Sequence, residues 1–182
     1  KIIETLDILN VRYFFYIGGN DSMDTVLQLS KYAKKYNLPH RFIGVPKTID
    51  NDLCGIDHTP GFGSAAKFVA TSLLEIAHDT YIYDLDSVTI VEIMGRNAGW
   101  VTASAALART SYSQAPDFIY CPEVLFDEAQ FVTDVRQLLT KKRNIIIAVS
   151  EGIKNLQGQY VASAQGAATD QSGHAKLRGT GR

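Results

Sequence analysis

The sequence predicts an α/β fold in which helices cover both faces of mainly parallel sheets. Short apolar runs, rich in β-branched and aromatic residues, have the length of buried strands. Segments with helical spacing of apolar residues separate these runs, so that strand and helix alternate along the chain. This alternation is typical of right-handed βαβ units, whose strands lie parallel.

The pattern predicts five strands and four helices. The strands are predicted at residues 13–17, 42–45, 88–94, 118–121 and 145–149. The helices are predicted at 22–36, 64–76, 98–109 and 128–142, with candidate N-caps at Ser22, Ser64 and Asp127. After residue 154 the composition turns to Gly, Gln, Ala and Ser, which indicates loop or an incomplete element. Since the chain opens inside a helical pattern without Met, we interpret it as a fragment.

Composition excludes several classes of partner. The formal net charge of the 182 residues is -1 and the basic residues are scattered, so nucleic acid is not expected to bind. No apolar run approaches the ~20 residues of a membrane span, and there is no signal-peptide pattern. Cys54 and Cys121 lie outside any Cys-x-x-Cys pair, which predicts two reduced, partly buried thiols and no zinc site. We therefore expect a cytoplasmic protein.

The turn after the second predicted strand carries the most chemistry. Residues 46–52 read PKTIDND and bring one cation, one hydroxyl and two carboxylates together. Open α/β sheets bind ligands at the carboxyl ends of their strands, where Lys47 can hold phosphate oxygens and Asp50 can accept a hydroxyl proton. This is the chemistry of phosphoryl transfer. The alternative is an Asx-rich turn whose side chains bond only their own backbone, and the segment alone leaves both interpretations open.

The first predicted strand ends in GGNDS at residues 18–22. Two glycines let the backbone approach a ligand, and the following helix offers N–H groups to an anion. A tight strand-to-helix connection capped by Ser22 is the simpler interpretation of this turn alone. The chain contains neither Gly-x-Gly-x-x-Gly nor a P-loop, which disfavours those two nucleotide-binding classes.

Two further strand ends carry polar side chains. The third strand leads into Arg96 and the fifth into Glu151. Individually these are ordinary positions for a surface cation and for a carboxylate at a helix start. Together, four polar strand ends on a parallel sheet predict one crevice lined by residues 19–21, residues 47–52, Arg96 and Glu151.

Five segments resemble the phosphofructokinase family in order and spacing. They are residues 18–22 (GGNDS), 46–52 (PKTIDND), 61–65 (GFGSA), 94–96 (MGR) and 122–124 (PEV). The resemblance implies a phosphofructokinase-like fold, of which this chain is the middle fragment of a two-lobed catalytic subunit. Residues 1–62 would belong to the phosphoryl-donor lobe and residues 63–182 to the sugar-phosphate lobe. The family's N-terminal glycine-rich donor loop and its C-terminal His/Arg motif are absent from the sequence.

The resemblance also implies a reaction, phosphoryl transfer to the 1-hydroxyl of fructose 6-phosphate in glycolysis. Asp50 would be the general base, with Thr48 and Asp52 positioning the reacting groups. Arg96 would bind charge on the transferring phosphoryl group. The sugar-binding set implied by the family motif is Thr48, Asp50, Asp52, Met94, Gly95, Arg96 and Glu151. The donor-binding set is Gly18, Gly19, Asn20, Asp21, Ser22 and Lys47.

Two positions distinguish phosphoryl donors within the family. ATP users carry Gly at both, in GGDG and PGTIDND, whereas pyrophosphate users carry Asp and Lys; this chain has Asp21 and Lys47. An Asp fills space and adds negative charge where the α-phosphate of ATP would lie, while a Lys neutralises the short donor. Pyrophosphate is therefore favoured. An ATP-dependent enzyme and a non-catalytic regulatory paralogue are the alternatives, ahead of a generic dinucleotide-binding module.

The family resemblance further implies Mg²⁺, a homo-oligomer and allosteric regulation. Asn20 stands where the family usually has its magnesium-binding Asp, and an amide is a poorer ligand than a carboxylate. The metal is thus expected to shift toward Asp21 or to be held by donor oxygens. Ser87 lies in the region where bacterial relatives place an Arg that reaches the neighbouring subunit's sugar site, so that cross-subunit contact is expected to differ.

Overall fold

The computed structural model describes residues 1–162 and 179–180, and the chain divides into two compact units, residues 1–48 and 49–182. The first unit contains α1 (Ile2–Ile8), β1 (Tyr13–Gly18), α2 (Asn20–Lys35) and β2 (Arg41–Pro46). The second contains α3 (Phe62–Ile82), β3 (Ser87–Ile93), α4 (Trp100–Ala103), a 3₁₀ helix (Ser104–Ala108), β4 (Phe118–Tyr120), α5 (Glu128–Leu139) and β5 (Asn144–Ser150). The assignment of residues 1–62 and 63–182 to the lobes of a complete subunit stays a prediction.

The sheet of the first unit consists of two parallel strands that end together. β1 and β2 pair from Tyr13 with Arg41 through Gly18 with Pro46. α2 packs closely on one face, since a Cβ on Gly44 would lie 2.7 Å from Met23 Sδ. Phe15, which alternates onto the opposite face, is exposed. The paired strand ends place residues 18–22 and 47 at one edge of this sheet.

The sheet of the second unit has the order β3-β5-β4 with all strands parallel. β5 lies in the middle, and every one of its residues is buried. Its Ile146 packs with α3 and α4 on one face, and its Ile147 packs with α5 on the other. Helices therefore cover both faces of this sheet, which confirms the predicted layering.

All five predicted strands are present to within one residue at each end, but they form two sheets. The helix predicted at 98–109 is wrong in type, because only Trp100–Ala103 is α-helical and Ser104–Ala108 is a 3₁₀ helix. The Ser104 hydroxyl donates to Val101 O at 2.6 Å, three residues back. Such a bond gives the backbone an alternative to the α-helical ladder.

Only one of the three predicted N-caps is correct. Asp127 caps α5, since its Oδ1 accepts hydrogen bonds from two backbone N–H groups at 3.0 and 3.1 Å. α2 begins earlier, with Gly19 at the N-cap, so Ser22 lies inside its first turn. α3 likewise begins with Gly61 at the N-cap, where φ is 92°, a left-handed conformation that favours glycine. Ser64 therefore caps nothing.

Beyond β5 the described chain continues to residue 162. Residues 154–160 form a tight turn in which Asn155 N donates to Gln159 O at 2.9 Å, in agreement with the predicted loop. The rest of that predicted region, residues 163–178 and 181–182, lies outside the described residues. Of the helices in the described part of the chain, none has the length and apolar character needed to cross a bilayer.

Candidate active site

The first unit brings the ends of β1 and β2 into direct contact. Lys47 N donates a hydrogen bond to Gly18 O at 3.0 Å. A Cβ on Gly19 would lie 3.9 Å from Lys47 O, so the two strand-end turns lie against each other. The side chain of Lys47 is exposed. Three of the predicted donor-binding residues, Gly18, Gly19 and Lys47, are therefore neighbours.

The remaining predicted donor-binding residues open α2. Asn20 and Asp21 are its first two residues, and both are exposed. Gly19, at the N-cap, has no side chain that could accept a hydrogen bond from the first N–H groups of the helix. These N–H groups can therefore donate to a bound anion. Ser22 packs over Gly18, where a Cβ would lie only 2.1 Å from Ser22 Oγ. Only a glycine at residue 18 therefore leaves room for the Ser22 side chain. The uncapped start of α2 gives this edge of the sheet N–H groups that can bind an anion.

The segment at residues 50–52 belongs to the second unit and is held by its central residue. Asn51 has φ 59°, its Nδ2 donates to Asp57 O at 3.1 Å, and its Oδ1 accepts from Thr59 N at 2.8 Å. These partners lie six and eight residues further along the chain, outside residues 46–52, so Asn51 does not form the local Asx turn of the alternative interpretation. Asp50 beside it is half-buried and Asp52 is exposed. A fixed residue thus separates the two carboxylates that the sequence singled out.

The turn after β3 is fixed by the end of β5. Ser150 Oγ donates to Gly95 O at 2.6 Å, and the Glu151 carboxylate accepts from Gly95 N at 3.2 Å. Gly95 has φ 131°, a region that favours glycine, and a Cβ there would lie 2.5 Å from Ala98 O. The structure therefore joins two of the predicted substrate-binding residues, Gly95 and Glu151, by a direct hydrogen bond.

Arg96 lies on the same turn, against Gly152. A Cβ on Gly152 would lie 1.9 Å from Arg96 O, so only glycine fits there. The Arg96 side chain is half-buried, and its guanidinium has no hydrogen bond or ion pair with residues 1–162 or 179–180. Met94, which precedes the turn, is exposed. A cation on a rigid turn is suited to bind an anionic group.

Sequence reasoning missed two residues that hold this turn. Ser150 is fully buried and also accepts from Gly152 N at 3.0 Å. Glu123 accepts from Gly99 N at 2.6 Å through its Oε1, which fixes the other end of the turn. A hydroxyl that ends an otherwise apolar strand was the available signal for Ser150. Glu123 lies in one of the family segments, but its spacing does not reveal its partner.

Glu123 also acts on a thiol. Burial, and then the negative charge of Glu123, raise the pKa of Cys121 above its usual range. Burial, and then the negative charge of Asp134, similarly raise the pKa of Tyr120.

Both cysteines are free thiols. Cys121 is partly buried as expected, but Cys54 is exposed, so the expectation of two partly buried thiols is wrong for Cys54.

We expect Ser150→Ala to destabilise the second unit by about 1–3 kcal/mol, because it leaves Gly95 O and Gly152 N buried without their partner. Denaturant unfolding monitored by circular dichroism measures this change. Ser64→Ala is the matched control, since that hydroxyl is exposed and caps nothing. Equal effects of the two substitutions would contradict the role of Ser150.

We expect Glu123→Gln to speed alkylation of Cys121 by iodoacetamide near pH 8.5. The amide keeps an acceptor for Gly99 N but removes the charge that raises the thiol pKa, so more thiolate is present at a given pH. Burial still raises the pKa, so the gain is partial. Peptide mass spectrometry measures the rate, with Cys54 as the internal reference. An unchanged pH profile would contradict the assigned cause.

The predicted site residues therefore form two groups, each within one unit. One group is Gly18, Gly19 and Lys47 with the start of α2, and the other joins Gly95 and Arg96 with Glu151. A single crevice lined by all of them stays a prediction. Among the described residues, no three His, Cys, Asp or Glu side chains cluster closely enough to hold a metal ion.

Parallel sheets with glycine turns and charged side chains at their carboxyl ends define an α/β protein of the class that binds ligands at this edge of its sheets. Comparison with known proteins specifies the class further. A family model described as Phosphofructokinase matches residues 1–180. The chain belongs to the phosphofructokinase family.

The relatives it resembles are longer proteins. The pyrophosphate–fructose 6-phosphate 1-phosphotransferase of Xanthomonas campestris pv. campestris (strain B100) is 48% identical over 181 residues, 98% of this chain and 43% of the relative. The protein of the same name from Rhodospirillum rubrum is 43% identical over an alignment that covers all of this chain and 45% of the relative. A crystal structure of the pyrophosphate-dependent phosphofructokinase of Nitrosospira multiformis is 38% identical, with a TM-score of 0.75 over 87% of this chain and 40% of that one. The chain thus spans less than half the length of these relatives.

Proposed function

We propose that the chain is part of a pyrophosphate-dependent 6-phosphofructokinase. The reaction transfers a phosphoryl group from pyrophosphate to the 1-hydroxyl of fructose 6-phosphate, giving fructose 1,6-bisphosphate and phosphate. The observation that carries the donor assignment is the edge of the first sheet, where exposed Lys47 adjoins Gly18 and Gly19 while Asp21 lies in the first turn of α2. The names of the Xanthomonas campestris and Rhodospirillum rubrum relatives support the same reaction.

The donor would bind at that edge. Pyrophosphate is small and highly charged, so it needs cations and N–H groups but no adenosine pocket. Lys47 supplies the cation, and the start of α2, which lacks a capping side chain, supplies N–H groups. Asp21 adds a carboxylate in the first turn of α2, where it would repel a longer polyphosphate chain.

Asp50 would be the general base for the acceptor. It takes the proton of the 1-hydroxyl as the oxygen attacks phosphorus, and the bond to the leaving phosphate breaks in the same displacement. Thr48 and Asp52 would position the reacting groups. Arg96 would bind the charge that spreads over the equatorial oxygens of the transferring phosphoryl group.

The turn of residues 94–96 would bind the sugar phosphate. Met94 and Gly95 shape the pocket, and Glu151 accepts hydrogen bonds from sugar hydroxyls. The Glu151 carboxylate already accepts from Gly95 N, but a carboxylate has about four lone-pair sites, so acceptor capacity remains for a hydroxyl. That same bond fixes the orientation of Glu151 before substrate binds.

Mg²⁺ fits the donor edge as a metal held largely by its substrate. Magnesium keeps several waters and binds through one or two carboxylates plus phosphate oxygens, so a cluster of three protein ligands is not required. Asp21 would be the carboxylate ligand and Asn20 a weaker amide ligand, both at the exposed start of α2. When bound, the metal neutralises charge on the donor phosphates.

A donor exchange in the full-length protein tests the proposal. Initial rates are measured with fructose 6-phosphate and Mg²⁺ and with either pyrophosphate or ATP. Turnover with pyrophosphate and little with ATP is the expected result. A preference for ATP would assign the chain to the ATP-dependent class, and no turnover with either donor would favour the non-catalytic paralogue.

We also propose a cytoplasmic homo-oligomer. Ser87 lies in the region of the family's cross-subunit Arg, and its hydroxyl is buried without a partner among the described residues. Light scattering on the full-length protein measures the subunit number.

A further inference from the structure

β3 carries one carboxylate on an otherwise apolar strand face. Val88, Ile90 and Glu92 alternate onto the same side of β3, and the parallel register pairs them with buried apolar residues of β5. Glu92 is exposed at the carboxyl end of this row. Neither core packing nor strand propensity accounts for a carboxylate there. Its contacts suggest another role.

The Glu92 carboxylate binds the backbone and the side chain of one residue far along the chain. The Thr180 backbone N–H donates to Glu92 Oε2, and Thr180 Oγ1 lies 3.0 Å from the same oxygen. Thr180 Oγ1 also lies 3.3 Å from Ser150 O. A hydroxyl has one proton, and the nearer, charged oxygen is the stronger acceptor. Both Thr180 donors therefore converge on Glu92.

The neighbouring residue, Gly179, also lies beside the Glu92 carboxylate. Gly179 has φ 102°, a conformation that favours glycine, and a Cβ there would lie 3.4 Å from Glu92 Oε2. The backbone of residues 179–180 thus lies directly over the carboxylate.

These contacts lie beside the proposed sugar-phosphate side. Ile93, next to Glu92, pairs with Ser150, and Glu151 N donates to Ile93 O at 3.0 Å. The strand ends that receive Thr180 are therefore the same ones that present Gly95 and Glu151.

We propose that Glu92 is a positioning residue that holds Gly179 and Thr180 against the sugar-phosphate side of the active site. Glu92 does not touch the substrate; it acts through the placement of Thr180 beside Ser150. The inference rests on the proposed function, in which Gly95 and Glu151 bind fructose 6-phosphate. Losing the contact should therefore weaken sugar-phosphate binding more than it slows the chemical step, because the general base lies on another loop.

The test uses variants of the full-length protein. We expect Glu92→Ala to raise KM for fructose 6-phosphate about tenfold. The loss of a hydrogen bond to a charged group weakens binding by about this factor. The turnover number and the KM for pyrophosphate should change by less than about threefold. Glu92→Gln keeps an acceptor oxygen and should restore most of the affinity. Glu75→Ala, an exposed carboxylate on α3, is the matched control and should leave all three constants unchanged.

Thr180→Ala provides a second test if Glu92→Ala fails to fold. It removes only the hydroxyl bond and should raise KM for fructose 6-phosphate, whereas Thr180→Ser should not. A KM within twofold of the unmodified protein in both Glu92→Ala and Thr180→Ala would overturn the proposal. So would a Glu92→Gln protein as impaired as Glu92→Ala.

A readout independent of activity separates this inference from the proposed function. Hydrogen–deuterium exchange resolved to the Thr180 amide should be slow in the unmodified protein, faster in Glu92→Ala and slow again in Glu92→Gln. If fructose 6-phosphate is not turned over at all, the proposed function fails, and the exchange pattern alone then decides whether Glu92 holds Thr180. Equal exchange in all three proteins would overturn the inference.

Discussion

Replacing Asp50 by Ser or Asn in the full-length protein is expected to lower the turnover number by roughly 10²–10⁴-fold, the contribution of a positioned general base. KM for fructose 6-phosphate should change much less, because the lost function, proton acceptance, operates only as the reaction proceeds. Asn has the size and polarity of Asp but cannot take the proton, so it separates chemistry from local geometry. Steady-state kinetics with pyrophosphate as donor measure both constants.

Asp57→Asn is the matched control for this prediction. Asp57 lies in the same loop, where its carbonyl accepts from Asn51, but its exposed carboxylate has no assigned role. Its turnover number should stay within about twofold of the unmodified protein. Unchanged turnover in Asp50→Asn would remove Asp50 from the base role. A loss of turnover in Asp57→Asn as large as that in Asp50→Asn would attribute the effect to the loop's structure.

The strands of this chain could be predicted to within one residue because their ends are marked locally. β1 ends at Gly18 and β2 at Pro46, and both residue types interrupt a strand for backbone reasons. The helical region after β3 could not be predicted in the same way. The spacing of apolar residues indicates which side of a helix is buried, but not whether the helix is α or 3₁₀. Here the change to a 3₁₀ helix accompanies a hydrogen bond from the Ser104 hydroxyl to Val101 O, and apolar spacing does not predict whether a serine makes such a bond.

The cap errors have a similar origin. Ser22 and Ser64 each follow a glycine-containing turn and resemble N-caps by residue type. The helices have glycine at the N-cap instead: Gly61 adopts a left-handed conformation there, and Gly19 is extended and contacts the turn at Lys47. Residue type alone does not distinguish a capping hydroxyl from one in the first turn.

Within the candidate site, the sequence indicates the charged residues but not the residues whose hydrogen bonds fix the turn that carries Arg96. Glu151, Arg96 and Lys47 were predicted from their strand-end positions. Ser150 and Glu123 act on partners that lie 55 and 24 residues away along the chain. Their roles depend on which strands become neighbours, and β5 lies between β3 and β4 although it follows both in sequence. Such contacts require the tertiary fold.

Asp21 and Lys47 are expected to set donor choice together, through opposite effects on two donors. Asp21→Gly should allow some use of ATP, because it removes bulk and negative charge from the first turn of α2 where the α-phosphate would lie. Lys47→Gly should depress the use of pyrophosphate, because the cation beside Gly18 no longer stabilises the leaving phosphate. The double substitution should favour ATP more than either single change, since both effects then act in the same direction.

The kinetics of the four proteins with each donor, at saturating fructose 6-phosphate, form a double-mutant cycle. Lys31→Gly in the middle of α2 is the control for loss of a lysine in the same unit, and its ratio of rates with the two donors should match that of the unmodified protein. Lys47→Gly keeps the backbone N–H that donates to Gly18 O, so the contact between the two strand ends is preserved while the side-chain cation is removed. If the unmodified enzyme already prefers ATP, or if Asp21→Gly leaves the ratio of rates with the two donors unchanged, then the assignment of pyrophosphate as donor is wrong.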